Sequence, residues 1–132
     1  MVSVDDVRQV VRDLPRSSEH LIADRLKFRV GKIVYLAFSR DETVMGFAFP
    51  KDERDALVAS DPAIFHLPRQ SDLRFNWVQA WLSELDEDLM TELVLDAWRI
   101  VVPKKVWSAH LPSLGLGRPA VIRAGERRSP PG

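Results

Sequence analysis

The sequence predicts an α+β domain, an antiparallel sheet of about five strands with helices packed on one face. Three observations point to it. Residues 25–50 consist of alternating and apolar runs broken by a glycine turn and a polar tip, the pattern of a hairpin meander. Residues 86–101 repeat apolar side chains at Met90, Leu93, Val94, Ala97, Trp98 and Val101, the spacing of a helix with one buried stripe. Phe75–Leu82 is a last strand, largely apolar on both faces, which asks for an interior place in the sheet.

Taken in order, Ser3 and Asp6 make a capping box, with aspartate in the usual glutamate position, and open the first helix. Val4, Val7, Val11 and Leu14 form its buried stripe, and Pro15 ends it. RSSEHLIAD, residues 16–24, is a connector to the first strand. In residues 25–30, Leu26, Phe28 and Val30 fall on one face and Arg25, Lys27 and Arg29 on the other. Gly31-Lys32 is a two-residue turn with glycine at the position that needs a positive φ. That turn pairs Val30 with Ile33, Phe28 with Tyr35 and Leu26 with Ala37. The stems of Arg29, Lys27 and Arg25 then lie over Val34, Leu36 and Phe38. The polar tip Ser39–Thr43 returns the chain as a third strand, Val44–Phe49, completing a three-strand meander.

After Pro50, Asp52 caps a short helix to about Ala59, with Glu53, Arg54 and Asp55 on its charged face and Leu57 as its anchor. Ser60-Asp61-Pro62 stops it, because the residue before proline resists helix. Ala63–Leu67 is a short extended run, and Pro68–Asp72 is a loop of turn formers. In the last strand Phe75, Trp77, Gln79 and Trp81 share one face, and Val78, Ala80 and Leu82 the other. Asp86, Glu87 and Asp88 suit the positive end of the following helix dipole. Pro103 breaks that helix, and Lys104–Trp107 can begin one more turn. Trp77, Trp81 and Trp98 read as core residues, and Trp107 as packed against the sheet edge, with a base-stacking indole beside Lys104 and Lys105 as the alternative. Residues 1–110 thus form one domain, and residues 111–132 a flexible tail without its own core.

Composition excludes several function classes. The 19 basic residues are balanced by 19 acidic ones, which argues against a protein held to nucleic acid by bulk charge. The charges are segregated, however. Acids cluster from Glu84 to Asp96, while Lys104, Lys105, Arg118, Arg123, Arg127 and Arg128 are opposed only by Glu126. The absence of cysteine removes disulfides, thiolate metal sites and cysteine nucleophiles. No apolar run approaches the roughly 20 residues of a membrane helix. The N-terminus has neither a basic leader nor a cleavable apolar core. A cytoplasmic monomer that does not engage membranes is the expectation.

No motif calls for catalysis. Gly115-Leu116-Gly117 lacks the strand-then-helix setting of a phosphate loop. His20, His66 and His110 are far apart and lack the spacing of a helical zinc pair. No Gly-x-Ser-x-Gly elbow occurs. Asp52, Glu53 and Asp55, at a helix start, serve the dipole rather than a metal. The expectation is a protein that is not an enzyme and carries no cofactor or metal.

With the strands placed, RLKFRVGKIVYLAF, FAFPKDERDALVASDPAIFHLP and FNWVQAWLSELDEDLMTELVLDAWRIVVPKK resemble the MmcQ/YjbR-like proteins of bacteria. The resemblance runs from about Val4 to Lys105. Its most specific pieces are Phe28-Arg29-Val30-Gly31-Lys32, Asp61-Pro62 with Phe65, Trp77, and Ala97-Trp98 with Pro103-Lys104-Lys105. The single Gly31 departs from relatives that often carry two glycines. The resemblance implies a fold akin to type III secretion chaperones, and DNA binding through two β-hairpin wings. Mapped here, the wings are the tip Ser39–Thr43 and the loop Pro68–Arg74.

Two functional readings follow. In the first, DNA is bound by the wings and the basic strand, through Arg25, Lys27, Arg29, Lys32, Arg40, Arg69 and Arg74, with Lys104 and Lys105. Lys104 and Lys105 also suit the negative end of the preceding helix. In the second, the exposed sheet face docks a protein or a small ligand.

Overall fold

Six strands form one antiparallel sheet in the order β1-β2-β3-β4-β6-β5. They are β1 (Ser17–Ile22), β2 (Arg25–Val30), β3 (Ile33–Phe38), β4 (Val44–Ala48), β5 (Phe65–His66) and β6 (Trp77–Trp81). Helices α1 (Val4–Val11), α2 (Lys51–Ser60), α3 (Glu87–Val101) and α4 (Lys104–His110) complete the α+β architecture. The computed structural model describes residues 2–110, and the tail expected at residues 111–132 lies outside them. Among the described residues no helix is long and apolar enough to cross a membrane.

The sixth strand is β1, which the sequence presents as a connector. It pairs along its whole length with β2, from Ser17 opposite Val30 to Ile22 opposite Arg25. The turn between them is Ala23-Asp24, with φ of 53° and 63°. Both residues sit in the left-handed region without a glycine, so the usual hairpin signal is missing. The meander therefore has four strands rather than three.

The next turn behaves as expected, with Gly31 at φ 60° and Val30 opposite Ile33. Beyond it the expected register fails. Arg29 pairs with Val34, but Phe28 pairs with Leu36 and Lys27 with Ala37, so Tyr35 is the extra residue of a β-bulge. The bulge puts Tyr35 and Leu36, neighbours in sequence, both wholly out of solvent. It also turns Leu36 and Phe38 into the core, not beneath the arginine stems. The Tyr35 hydroxyl meets Ser17 Oγ at 2.5 Å, tying the bulge to β1. Burial pushes its phenol up to about 12.

The core lies between one sheet face and the helices. Leu26, Phe28, Met45, Phe47, Val78 and Ala80 share one core with α3, whose Leu93, Val94, Ala97 and Trp98 are buried and which packs on β3 and β4. Helix α1 contributes Val4, Val7 and Val11 and packs on α3. Its capping box is formed as expected, with Ser3 N–H donating to Asp6 and Asp6 N–H to Ser3 Oγ. Asp86 caps α3 by accepting from Leu89 N–H at 2.7 Å. The Trp98 indole N–H donates to the Pro15 carbonyl at 2.9 Å, locking α3 to the chain that leaves α1. Trp107, half-buried against the core, lies under the Arg99 guanidinium at 4.1 Å.

Three further expectations change. Helix α2 starts at Lys51 with Pro50 in the cap position, so Asp52 sits in its first turn and caps nothing. Arg54 leaves the charged face and is 9% exposed. Trp77 is half-buried and Trp81 is 42% exposed, so only Trp98 of those three tryptophans belongs to the core.

Candidate functional site

Strand alternation places the side chains that miss the core on the opposite, open face of the sheet. Ladder partners show one row crossing it: Lys27 opposite Ala37, Ala37 opposite Gly46, and Gly46 opposite Gln79. A second row pairs Ala48 with Trp77, and a third pairs Val44 with Trp81. Glycine at position 46 is what lets an aromatic ring lie down here. A Cβ at Gly46 would come within 2.6 Å of the Trp77 indole nitrogen. The indole thus lies against the backbone of β4, and glycine in a strand interior is the sequence mark of such close approach.

A groove of about 740 Å³ runs over this face, with Ile100 and Val101 from the end of α3 also in its lining. Arg25, Lys27 and Arg69 line it, with Asp72 as the one carboxylate among its described lining. Its aromatic walls are Phe75 and Trp77, and its aliphatic ones include Val34, Ala37, Val44 and Ala48. Two amides, Asn76 and Gln79, line it as well. Asn76 Oδ1 accepts from Lys51 N–H at 3.0 Å, and Gln79 lies opposite His66 in the ladder. Burial holds His66 below the ordinary imidazole value, against the opposing pull of the Gln79 side chain. The His66 ring stacks on Trp81 with centroids 4.7 Å apart.

The loop between β5 and β6 shapes one end of the groove, and it is built around Arg54. From α2 the guanidinium donates to the carbonyls of Leu73 at 3.0 Å, Phe75 at 3.1 Å and Trp77 at 3.3 Å. One planar fork thereby fixes three backbone positions at the entry to β6. The loop holds a 3-10 turn at Gln70–Asp72, and Arg69 Nε donates to Asp72 at 3.2 Å. Arg74 lies over the Phe75 ring at 4.8 Å. Arg54 was missed because its side chain reads as one charge among several. Its spacing three residues before Leu57 was the available signal, since it shares that buried face.

The tip Ser39–Thr43 is self-contained. Asp41 accepts from the hydroxyls of Ser39 and Thr43, both at 2.7 Å, while Ser39 Oγ accepts from the Thr43 and Val44 amides. These hydroxyls hold the Asp41 carboxyl below the usual range. Glu42 takes φ 60° within the same turn.

Of the nine basic residues expected to contact DNA, the groove gathers Arg25, Lys27 and Arg69. Arg29 turns to β1, where its Nη2 meets His20 Nδ1 at 3.2 Å. Lys32 is exposed in the β2–β3 turn, Arg40 is exposed on the tip, and Arg74 covers Phe75. Lys104 and Lys105 are exposed at the start of α4 and do not line the groove. A smaller cavity of about 360 Å³ lies between α1 and α3, and its charged rim of Asp6, Asp13 and Glu87 would repel phosphate.

The comparisons with known proteins agree with this architecture. The crystal structure of Deinococcus radiodurans protein DR2400, which carries a DUF419 domain, shares the fold with a TM-score of 0.68. The two are 23% identical, over 90% of this chain and 92% of that one. No curated protein matches the chain. The family model described as YjbR matches residues 12–100, two-thirds of the sequence, and the chain belongs to the YjbR family.

Proposed function

We propose that the chain is a non-enzymatic module that binds DNA on the open face of its sheet, with the groove rather than the two tips as the contact surface. The observation that carries this reading is the convergence of Arg25, Lys27 and Arg69 beside Phe75 and Trp77. Cations supply phosphate contacts, and aromatic faces supply stacking, the two ingredients of sheet-based nucleic-acid recognition. Beyond Arg69, which keeps a place in the groove beside its partner Asp72, the tips add little: Arg40 sits next to Asp41 and Glu42, and Arg74 is drawn to Phe75. A titration of labelled DNA against salt tests the reading. Three phosphate contacts give a log–log slope of about −2 to −3. The triple substitution of Arg25, Lys27 and Arg69 by alanine should flatten that slope. Absence of binding at low salt would overturn the proposal.

The groove's volume favours one other reading. At about 740 Å³ it matches the range of small-molecule sites, so an anionic ligand with a planar ring is the alternative occupant. A melting-temperature shift with a mononucleotide that oligonucleotides fail to produce would select it.

A further inference from the structure

We infer that the DNA this site takes is single-stranded, laid across the sheet with bases stacked on Trp77 and Phe75. The inference rests on the reading of the open face as a DNA site and narrows it to one physical form.

The geometry disfavours a duplex. A duplex presents two rails of phosphate, and gripping them takes cations on both sides of a ridge or cleft. Here, among the described residues, three cations line the groove, against one carboxylate. Stacked inside a duplex, a base has no face to offer an aromatic side chain, and unstacking it costs a few kcal/mol per step. A single strand meets the same surface with free base faces.

The groove carries what a free base needs. Trp77 is half-buried, lies against Gly46 on one side and lines the groove. Its position is fixed by the β-ladder, so little freedom is lost when a base stacks on it. Phe75, two residues earlier in the loop that leads into β6, is 51% exposed and carries the Arg74 guanidinium over its ring. One ring on the sheet and a second in the adjoining loop offer stacking for two successive bases.

The polar inventory separates DNA from RNA. A ribose 2′-hydroxyl pressed against this face would meet Val34, Ala37, Val44 and Ala48, and burying it without a partner is unfavourable. The Asn76 carbonyl is already bonded to Lys51 N–H, and Ser39 Oγ to Asp41 and the Thr43 and Val44 amides, which leaves the Asn76 NH2 and the Gln79 amide as the neutral polar groups beyond that aliphatic strip. Deoxyribose and the thymine methyl suit the aliphatic wall.

Fluorescence anisotropy with labelled oligothymidylate of about 12 nucleotides, a duplex of equal length and oligouridylate tests this. Oligothymidylate should bind at least about tenfold tighter than the duplex, with a salt slope near −2 from three phosphates at about −0.7 each. Trp77→Ala should weaken it about ten- to a hundredfold, Phe75→Ala about tenfold, and Trp77→Phe should recover part of the loss. Phe75→Ala removes an exposed ring, so its result does not depend on folding. Equal or tighter duplex binding overturns the single-strand inference while the DNA reading stands. Equal binding of oligouridylate overturns the deoxyribose preference. Unchanged affinity in both ring variants overturns the stacking site, and no binding to any of the three overturns the DNA reading itself.

Discussion

Replacing Arg54 with alanine should unfasten the loop between β5 and β6. The side chain is 9% exposed and makes three hydrogen bonds, to Leu73, Phe75 and Trp77 carbonyls. A hydrogen bond from a charged donor contributes about 1.5–3 kcal/mol. The charge leaves with the side chain, so no unpaired ion remains. Leu73 and Phe75 also lie in a loop that water can reach, so the low end applies. About 4–5 kcal/mol is lost in all, before any packing of the arginine stem. For a domain of this size that lowers Tm by about 10 °C or more. Arg54→Lys keeps the charge but not the fork, and should lose roughly half as much. Thermal unfolding by circular dichroism reads the stability, and trypsin cleavage after Arg69 and Arg74 reads the loop. Faster cleavage at those two sites, at a temperature where the rest stays folded, is the expected result. An Arg54→Ala protein that melts within about 2 °C of the parent and resists trypsin equally would refute the reasoning.

Three further substitutions probe separate features. Gly46→Ala places a methyl group about where the Trp77 indole sits, so near-ultraviolet dichroism and tryptophan emission should change, with a loss of about 1–3 kcal/mol; an unchanged spectrum contradicts the placement. Tyr35, raised to about 12, ionises in the unfolded chain near 10 and in the folded chain later. Stability should therefore fall between about pH 10 and 12, by about 3 kcal/mol at the end of that window. Tyr35→Phe should flatten this alkaline limb in denaturant titrations and lose about 1 kcal/mol at neutral pH with the Ser17 bond. His66, held below its ordinary value, favours the neutral ring in the folded state. Its contribution is complete above about pH 6.5 and declines as pH falls toward the depressed value. His66→Asn should remove that acid-side slope, and a slope that survives assigns it elsewhere.

What the sequence reveals here depends on whether the signal is local. The Ser3–Asp6 box, the Asp86 cap and the α3 stripe are set by residues within a turn or two, and all are present. The interior place of β6 follows from Val78 and Ala80 on one side and Trp77 and Gln79 on the other. The β-bulge at Tyr35 is different. Ile33 to Phe38 is apolar throughout, so a one-residue slip leaves no polar residue in the core and nothing in the run reports it. Strand β1 hides for a related reason. Its burial does not alternate cleanly, and Ala23-Asp24 turns the chain without glycine. The site was half legible: the Arg25–Lys27 alternation located two cations, but the pairing of Trp77 with Gly46 spans two strands. Arg54 acts on carbonyls about twenty residues downstream in sequence, and no local pattern encodes that.

The bond from Trp98 to Pro15 joins residues 83 apart, in a molecule whose meander strands pair with their neighbours. Contacts closed over short separations form early, and a clasp across most of the chain forms last. Its loss should therefore leave the folding rate nearly untouched and raise the unfolding rate. Stopped-flow chevrons of Trp98→Phe, which keeps a ring in the core but no donor, should show a displaced unfolding limb beside an unmoved folding limb. The clasp then governs how long the protein stays folded, and the meander how quickly it gets there.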